Sequence, residues 1–288
     1  MQKVWDCFSF FCEKELLELR LKHMWEYVDY FVITEADMTH QAEKKDFLLP
    51  RLLEDELFWA KGKIKLILLE VDLENLPETR YQNSQNAALG EMVNSVTWKI
   101  ENLQRNAAMK EVNPADENDI ILVGDLDEIP NERVLSNLRI IAESREILTV
   151  GMVNCPYYLN IRLEAAGKES PWAGTVIGKR KHLILPQMWR DVREIIHWVP
   201  TSGYHFSWLV KYFESKIKST AHDEVIKLFE KSSLFEKAKN LQDMYDRQDH
   251  KYIITDIEAD SNFPLVFKQM KQEFPELYYI SSYNQAQL

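Results

Sequence analysis

The segment Ile120-Ile121-Leu122-Val123-Gly124-Asp125-Leu126-Asp127-Glu128-Ile129-Pro130 runs four apolar residues straight into three carboxylates. A short apolar run ended by glycine and proline reads as a buried strand. In an α/β sheet, ligands bind just beyond the carboxyl ends of such strands. Residues two apart on an extended chain point the same way. Asp125 and Asp127 are therefore expected to face one spot, with Glu128 turned aside. Two converging carboxylates call for a cation or a proton between them. Hard oxygen ligands suit Mg²⁺ or Mn²⁺, which keep water and bind substrate phosphates. The competing reading is a solvated turn with Asp127 as a helix N-cap. The buried strand before it and Pro130 after it favour a metal-assisted site for a phosphorylated substrate.

Outward from this segment, strands and helices alternate. Residues 4–11 (VWDCFSFF) read as a first strand. Residues 13–27 follow as a helix, with Leu16, Leu17, Leu21, Met24 and Val28 at helical spacing. Residues 30–34 and 64–71 are further strands, with a helix at 51–60 between them. This is the βαβ pattern of a parallel sheet. A long helix is expected over 83–112, kinked near Gly90 and stopped at Asn113-Pro114. Beyond the acidic segment, 134–144 reads as helix, and 147–153, 157–162 and 175–182 read as strands. Residues 208–218 and 224–245 read as helical, and 261–279 holds one more helix.

Composition narrows the function. The 288 residues suit one large α/β domain. A formal net charge of −11 disfavours a broad polyanion-binding surface. Three cysteines, Cys7, Cys12 and Cys155, with no CxxC pair, argue against a disulfide framework or a structural zinc site. No apolar stretch approaches the ~18 residues needed to cross a bilayer. The expectation is a soluble, cytoplasmic protein without nucleic-acid partners.

Several blocks resemble glycosyltransferase family 17, whose best-known members transfer N-acetylglucosamine to the β-linked mannose of N-glycans. Asp6 to Phe11 is similar to the family's opening strand, and Glu13, Glu15, Leu16, Leu17, Glu18, Arg20 and Leu21 to the helix after it. Val28 to Glu35 is similar to its second strand. Trp98, Glu101, Gln104, Arg105 and Asn106 sit at the family's spacing before Gly124 to Pro130, its most characteristic block. Gly203-Tyr204-His205-Phe206-Ser207-Trp208 resembles a late block. Cys12 and Tyr204 depart from the Asn and Trp of the pattern, and the membrane anchor and stem of the animal enzymes are not seen. The resemblance implies a GT-A-like nucleotide-diphospho-sugar transferase fold, with a mostly parallel central sheet flanked by helices. It further implies a UDP-sugar donor, a glycan or glycoconjugate acceptor, and Mn²⁺ or Mg²⁺. Residues 1–288 are expected as one glycosyltransferase domain. Within it, 1–130 is the nucleotide-sugar-binding half, 131–222 the acceptor and metal half, and 223–288 a helical C-terminal extension.

Chemistry then assigns candidates. A divalent cation neutralises the departing diphosphate as a Lewis acid. Asp127 is the expected direct ligand, Asp125 a ligand through water or a ribose acceptor, and His205 a late third ligand. His205 is equally readable as a core histidine. Glu128 either fixes geometry or sits at a helix start. Arg105 either pairs with Glu101 one helical turn away or clamps phosphate. Lys216 and His222 are weaker candidates for the diphosphate, since they lie in a mixed-charge helix and loop where a solvated role is the stronger reading. Phe8, Phe11 and Glu35 lie where the fold class holds base and ribose. Phe8 and Phe11 fall on opposite faces, so one stacks on uracil and the other is core. The general base is sought among Glu164, Asp191, Glu194 and Asp223, with Asp191 preferred. Trp172 is a sugar platform or a core residue. The function expected is inverting transfer of N-acetylglucosamine or a related hexose. The alternatives are a haloacid-dehalogenase-like phosphohydrolase and a non-enzymatic glycan-binding protein with a relic metal site.

Overall fold

The computed structural model describes residues 2–78, 95–221, 223–229 and 233–280. The expected kink at Gly90, the first half of the helix around it, and His222 lie outside the described residues.

An eight-stranded sheet in the order β3-β2-β1-β4-β9-β6-β10-β5 forms the centre. Its strands are β1 (Val4–Phe10), β2 (Tyr30–Ala36), β3 (Ile64–Leu69), β4 (Ile120–Val123), β5 (Glu128–Pro130), β6 (Ile147–Asn154), β9 (Pro171–Lys179) and β10 (Trp198–His205). The β3-β2-β1-β4 half is parallel throughout. β9 runs against both β4 and β6, β6 and β10 are parallel, and β5 closes the edge antiparallel to β10. The α/β class and mostly parallel sheet match the expectation. A second sheet of three antiparallel strands is built from β7 (Ile161–Ala165), β8 (Lys168–Glu169) and β11 (His250–Ile254).

Both faces of the sheet are covered, which is why the parallel strands read as near-continuous apolar runs. Along β4, Ile120 and Leu122 enter one core and Ile121 and Val123 the other. β1 divides likewise, with Val4, Phe8 and Phe10 on one side and Trp5 and Cys7 on the other. Helix α1 (Lys14–Met24) packs Leu16, Leu17, Leu21 and Met24 into the first core. α2 (Leu49–Asp55) follows β2, and α3 (Val96–Asn106) and α4 (Met109–Val112) precede β4.

Several elements are shorter than the sequence pattern indicates. The 134–144 helix divides into α5 (Glu132–Leu135), capped by the Asn131 side chain, and α6 (Leu138–Ser144). The strand expected at 157–162 begins only at Ile161. Pro156 precedes it, and Tyr157 sits in the left-handed region at φ 75°. β10 was not anticipated: Pro200 and a register shift between Val199 and Gly203 interrupt its apolar pattern. α7 (Pro186–Val192) follows β9, and α8 (Phe213–Ser219) follows β10. The 224–245 stretch holds two short helices, α9 (Asp223–Phe229) and α10 (Leu234–Lys239), in place of one. Near the C-terminus, α11 (Leu265–Gln269) packs on α1.

The end of β4 is placed by a close approach. A Cβ at Gly124 would run into the Thr175 hydroxyl of β9. Gly124→Ala is expected to cost about 1–3 kcal/mol by overpacking. Thr175→Ala in the same chain should recover most of that loss, read from urea midpoints of the two variants. Equal destabilisation with and without Thr175→Ala counts against the contact.

Candidate active site at the carboxyl ends of the parallel strands

Asp6 in β1 and Arg20 in α1 are charged residues set into apolar faces, and both are fully buried. They pair bidentately, Arg20 Nε donating to Asp6 Oδ2 (2.9 Å) and Nη2 to Oδ1 (2.7 Å). The remaining Arg20 nitrogen, Nη1, donates to the carbonyls of Asp125 (3.1 Å), Leu126 (3.3 Å) and Glu128 (2.6 Å). This guanidinium therefore fixes the turn that carries the carboxylates. β5 then pairs with β10 so that Glu128 faces His205, and the Phe206 amide donates to the Asp127 carbonyl (2.8 Å). Cross-strand register, rather than proximity in sequence, brings the late histidine to the acidic turn.

A cavity of about 240 Å³ opens here, lined among others by Phe11, Glu13, His40, Gln104, Arg105, Asp125, Asp127, Trp172, His205 and Lys216. Asp125, Asp127, Arg105, Lys216, His205 and Phe11 thus meet as expected. The two aspartates, however, do not share one partner. Asp125 accepts from Arg105 Nη2 on Oδ1 (2.9 Å) and from Arg190 Nη2 on Oδ2 (2.7 Å). Burial raises the Asp125 pKa, but Arg190 and then Arg105 outweigh it and hold the carboxyl well below the usual range. Asp127 turns to Lys216 (2.6 Å) and to His205 Nε2 (3.7 Å). Burial works against the Lys216 ammonium. Asp127 and Glu13 prevail and raise its pKa above the lysine range. Burial lowers the His205 pKa despite Asp127, so the imidazole is neutral at pH 7.

Other expectations need correction. Glu35 is buried and lies outside the cavity, because its oxygens accept from the amides of Leu48 and Leu49 (2.8 Å each) at the start of α2 and from Lys45 (2.6 Å). Phe8 is core, with Arg20 over its ring at 4.5 Å, which leaves Phe11 as the ring at the cavity. Arg105 joins the readings left open for it. It bonds Glu101 (2.8 Å) and, through Asp125, faces the cavity as an already paired group. Asp191 borders neither this cavity nor the neighbouring one. It accepts from Gln187 one turn earlier on its own helix (2.7 Å), and burial raises its pKa. Glu128 does not start a helix: it holds Arg190 in a two-pronged pair (2.7 Å each) and accepts from the Trp172 indole (2.9 Å). Glu164 lies on β7, and Asp223 opens α9.

Arg190 was missed. It is 2% exposed and bridges Asp125, Glu128 and the Gly174 carbonyl. Nothing in Trp189-Arg190-Asp191 marks it out. His40, which bonds Gln104 (3.1 Å), was missed as well.

Among the described residues no three His, Cys, Asp or Glu side chains gather around one point. Asp127 Oδ1 and His205 Nε2 nevertheless stand 3.7 Å apart. Two ligands at about 2.1 Å from one ion can span that separation. The described lining carries four carboxylates (Glu13, Glu101, Asp125, Asp127) against three cations (Lys45, Arg105, Lys216). An anionic diphosphate meets repulsion there unless a cation accompanies it. Asp127 and His205 thus fit an ion that keeps water and phosphate as its other ligands.

Removing one partner of a buried pair costs about 3–5 kcal/mol. Arg190→Met is expected to lose that much, measured by chemical denaturation. Asp125 binds its proton less tightly folded than unfolded. Its contribution is therefore complete above the ordinary aspartate range near pH 4 and fades as pH falls below it. The stability gap between the parent and Asp125→Asn should accordingly narrow from pH 6 to about pH 3. A gap constant with pH argues that the carboxylate's charge is not what holds the arginines.

The profile of glycosyltransferase family 17 matches residues 1–257. No curated protein matches the chain in sequence. Among solved structures, the chain is similar to a 4-diphosphocytidyl-2C-methyl-D-erythritol synthase, at 15% identity over 70% of this chain and 90% of that one, with a TM-score of 0.37. It is also similar to S. aureus TarS 1-349, at 10% identity over 95% and 74%, TM-score 0.40. A third likeness is to the galactosyltransferase LgtC in complex with donor and acceptor sugar analogues, at 10% identity over 100% of each chain, TM-score 0.33. Likenesses this distant carry no argument about chemistry. The family match spans most of the sequence and includes the acidic turn, its clamp and the late histidine block: the chain belongs to glycosyltransferase family 17 and is a glycosyltransferase.

Proposed function

We propose that the protein transfers N-acetylglucosamine, or a related hexose, from a UDP-sugar to a glycan hydroxyl with inversion at the anomeric carbon. The observation that carries this reading is the convergence of Asp127, His205 and Lys216 on one cavity at the strand ends. In a single displacement the acceptor oxygen bonds the anomeric carbon as the bond to the diphosphate breaks, and the acceptor proton leaves to a base. Negative charge grows on the departing UDP. Lys216 is placed to meet that charge, and Asp127 with His205 would hold Mn²⁺ or Mg²⁺. When bound, that ion supplies Lewis-acid neutralisation of the diphosphate.

Asp125 has a supporting part. Both its oxygens already accept from arginines, so it positions Arg105 at the cavity wall; its spare lone pairs suit a ribose hydroxyl. At about 240 Å³ the cavity is smaller than the ~300–1,000 Å³ common for small-molecule sites. The diphosphate and ribose would enter it, with Phe11 at its wall as the uracil platform. The phosphohydrolase alternative requires Asp125 as a free nucleophile, and the two guanidiniums speak against that. Family membership likewise speaks against a relic binding protein.

Removing a group that stabilises leaving-group charge costs on the order of 10²–10³ in turnover. Asp127→Ala and Lys216→Met are each expected to lower UDP release from UDP-N-acetylglucosamine by about that factor, assayed well below the melting temperature of each variant because each loses one partner of a buried pair. Chelation should do the same to the parent. A nucleotide-sugar panel with and without Mn²⁺ identifies the donor by the ligand that raises the melting temperature. Parent-like turnover in Asp127→Ala removes the metal role.

A further inference from the structure

A second cavity, about 670 Å³, adjoins the first, and Trp172, His205, Ser207 and Trp208 line both. Ile195 and Trp198 line only the second. We propose that Trp172, in the shared wall, is a positioning residue for the transfer: its indole lies flat on the His205 imidazole, fixes the plane of that ring and so keeps Nε2 toward Asp127. The consequence for a bound ion rests on the metal role proposed for His205; the fixing of the ring does not.

His205 meets Asp127 through one nitrogen, Nε2 (3.7 Å), so the torsion about its Cβ–Cγ bond matters. For a histidine that torsion is broad and roughly two-fold. A ligand histidine is ordinarily held by a hydrogen bond at its other nitrogen. His205 lacks that anchor, because Nδ1 is buried with no hydrogen-bond partner among the described residues. Trp172 meets the ring instead, with centroids 4.2 Å apart and planes inclined by 15°. A flat ring at this distance blocks the perpendicular settings of the imidazole. Two in-plane settings are left, and only one of them puts Nε2, rather than the Cε1 carbon, beside Asp127.

The sheet brings the two rings together. β6 runs between β9 and β10. Trp172 stands opposite Met152, and His205 opposite Asn154, two residues further along β6. Residues two apart on a strand share a face, and so do cross-strand partners. Both rings therefore rise on one side of the sheet.

Trp172 is itself held. Its indole N–H donates to Glu128 Oε1 (2.9 Å). Glu128 is fully buried and gripped by Arg190 through both oxygens (2.7 Å each). The Arg193 guanidinium carbon lies 5.4 Å from the centre of the Trp172 ring, within range of cation–π attraction. The edge of the indole and its π system are thus both engaged, and the imidazole inherits the setting. Glu128 reaches His205 twice, by pairing with it between β5 and β10 and through the indole.

Metal-free protein carrying ¹³C-labelled histidine reads the ring directly. The His205 imidazole signal is assigned by its loss in His205→Ala. It should be single and sharp in the parent and in Trp172→Phe, which keeps a flat ring while losing the indole donor. In Trp172→Leu it should broaden or double. Trp172 is half-buried, and thermal unfolding confirms that each variant is folded at the temperature of measurement. A single sharp signal in Trp172→Leu overturns the proposal. Mn²⁺ binding in the presence of UDP, followed by the electron paramagnetic resonance of the free ion, reads the consequence. Removing a group that orients a metal ligand costs about 10–100-fold in affinity. Trp172→Leu should weaken Mn²⁺ binding by that factor, and Trp172→Phe far less. The Trp172→Leu/His205→Ala double variant should bind no more weakly than His205→Ala alone, since nothing is left to position. Additive losses, or Trp172→Phe as weak as Trp172→Leu, overturn the proposal. Parent-like Mn²⁺ binding in His205→Ala, with the disturbed signal in Trp172→Leu, removes the metal role and leaves the positioning intact. Weakened binding in His205→Ala, with a sharp signal in Trp172→Leu, removes the positioning alone.

Discussion

The Asp6–Arg20 pair is the constraint on which the acidic turn depends. A fully buried guanidinium is tolerated only when its donors are occupied. Here two nitrogens go to Asp6 and the third to three carbonyls between Asp125 and Glu128. The pair thus ties β1, α1 and the turn after β4 to one point. The turn keeps its shape although Asp125, Leu126 and Asp127 face outward to the cavity. Were the clamp absent, the Leu126 carbonyl would lose its charged donor and the turn would rest on the Glu128 amide at the Asp125 carbonyl and the Thr175 hydroxyl at the Glu128 carbonyl.

From that fixed turn, charge is distributed in two directions. Asp125 and Glu128 collect arginines, and Asp127 collects the lysine and the histidine. The turn from Asp125 to Glu128, closed by the Glu128 amide on the Asp125 carbonyl, is the cause. Asp125 and Glu128 meet at Arg190, while Asp127 falls next to His205 through the β5–β10 pairing. The anionic side chains that looked like one cation site are therefore two differently compensated groups, of which only Asp127 borders a neutral imidazole.

Much of the parallel half was legible because buried strands leave continuous apolar runs, and 120–123 between Asp119 and Gly124 is unambiguous. What the pattern hid depends on long-range pairing. β10 carries Pro200 and a register shift, so no clean alternation marks it. Glu35 ends a strand like a ligand-binding carboxylate, yet spends its oxygens capping the start of α2. Asp191 lies outside both cavities, and on its helix it turns toward Gln187. One signal was present and unused. Asp6 interrupts an apolar strand, and Arg20 falls in the apolar stripe of α1 between Leu16 or Leu17 and Met24. Two misplaced charges of opposite sign, each needing a partner, already implied each other.

Glu128 has no exposed surface, yet it touches both cavities' walls through others. Its Oε1 accepts from the Trp172 indole and from the Arg190 Nη2 that also serves Asp125, and its Oε2 accepts from Arg190 Nη1. The partition between the two compartments is thereby wired to the basic residue that steadies the acidic turn. Remodelling Trp172 would disturb the electrostatics next door, whereas Trp198 and Ile195 carry no such linkage. Substitutions along that outer rim can therefore reshape the second cavity while the dividing wall is held constant.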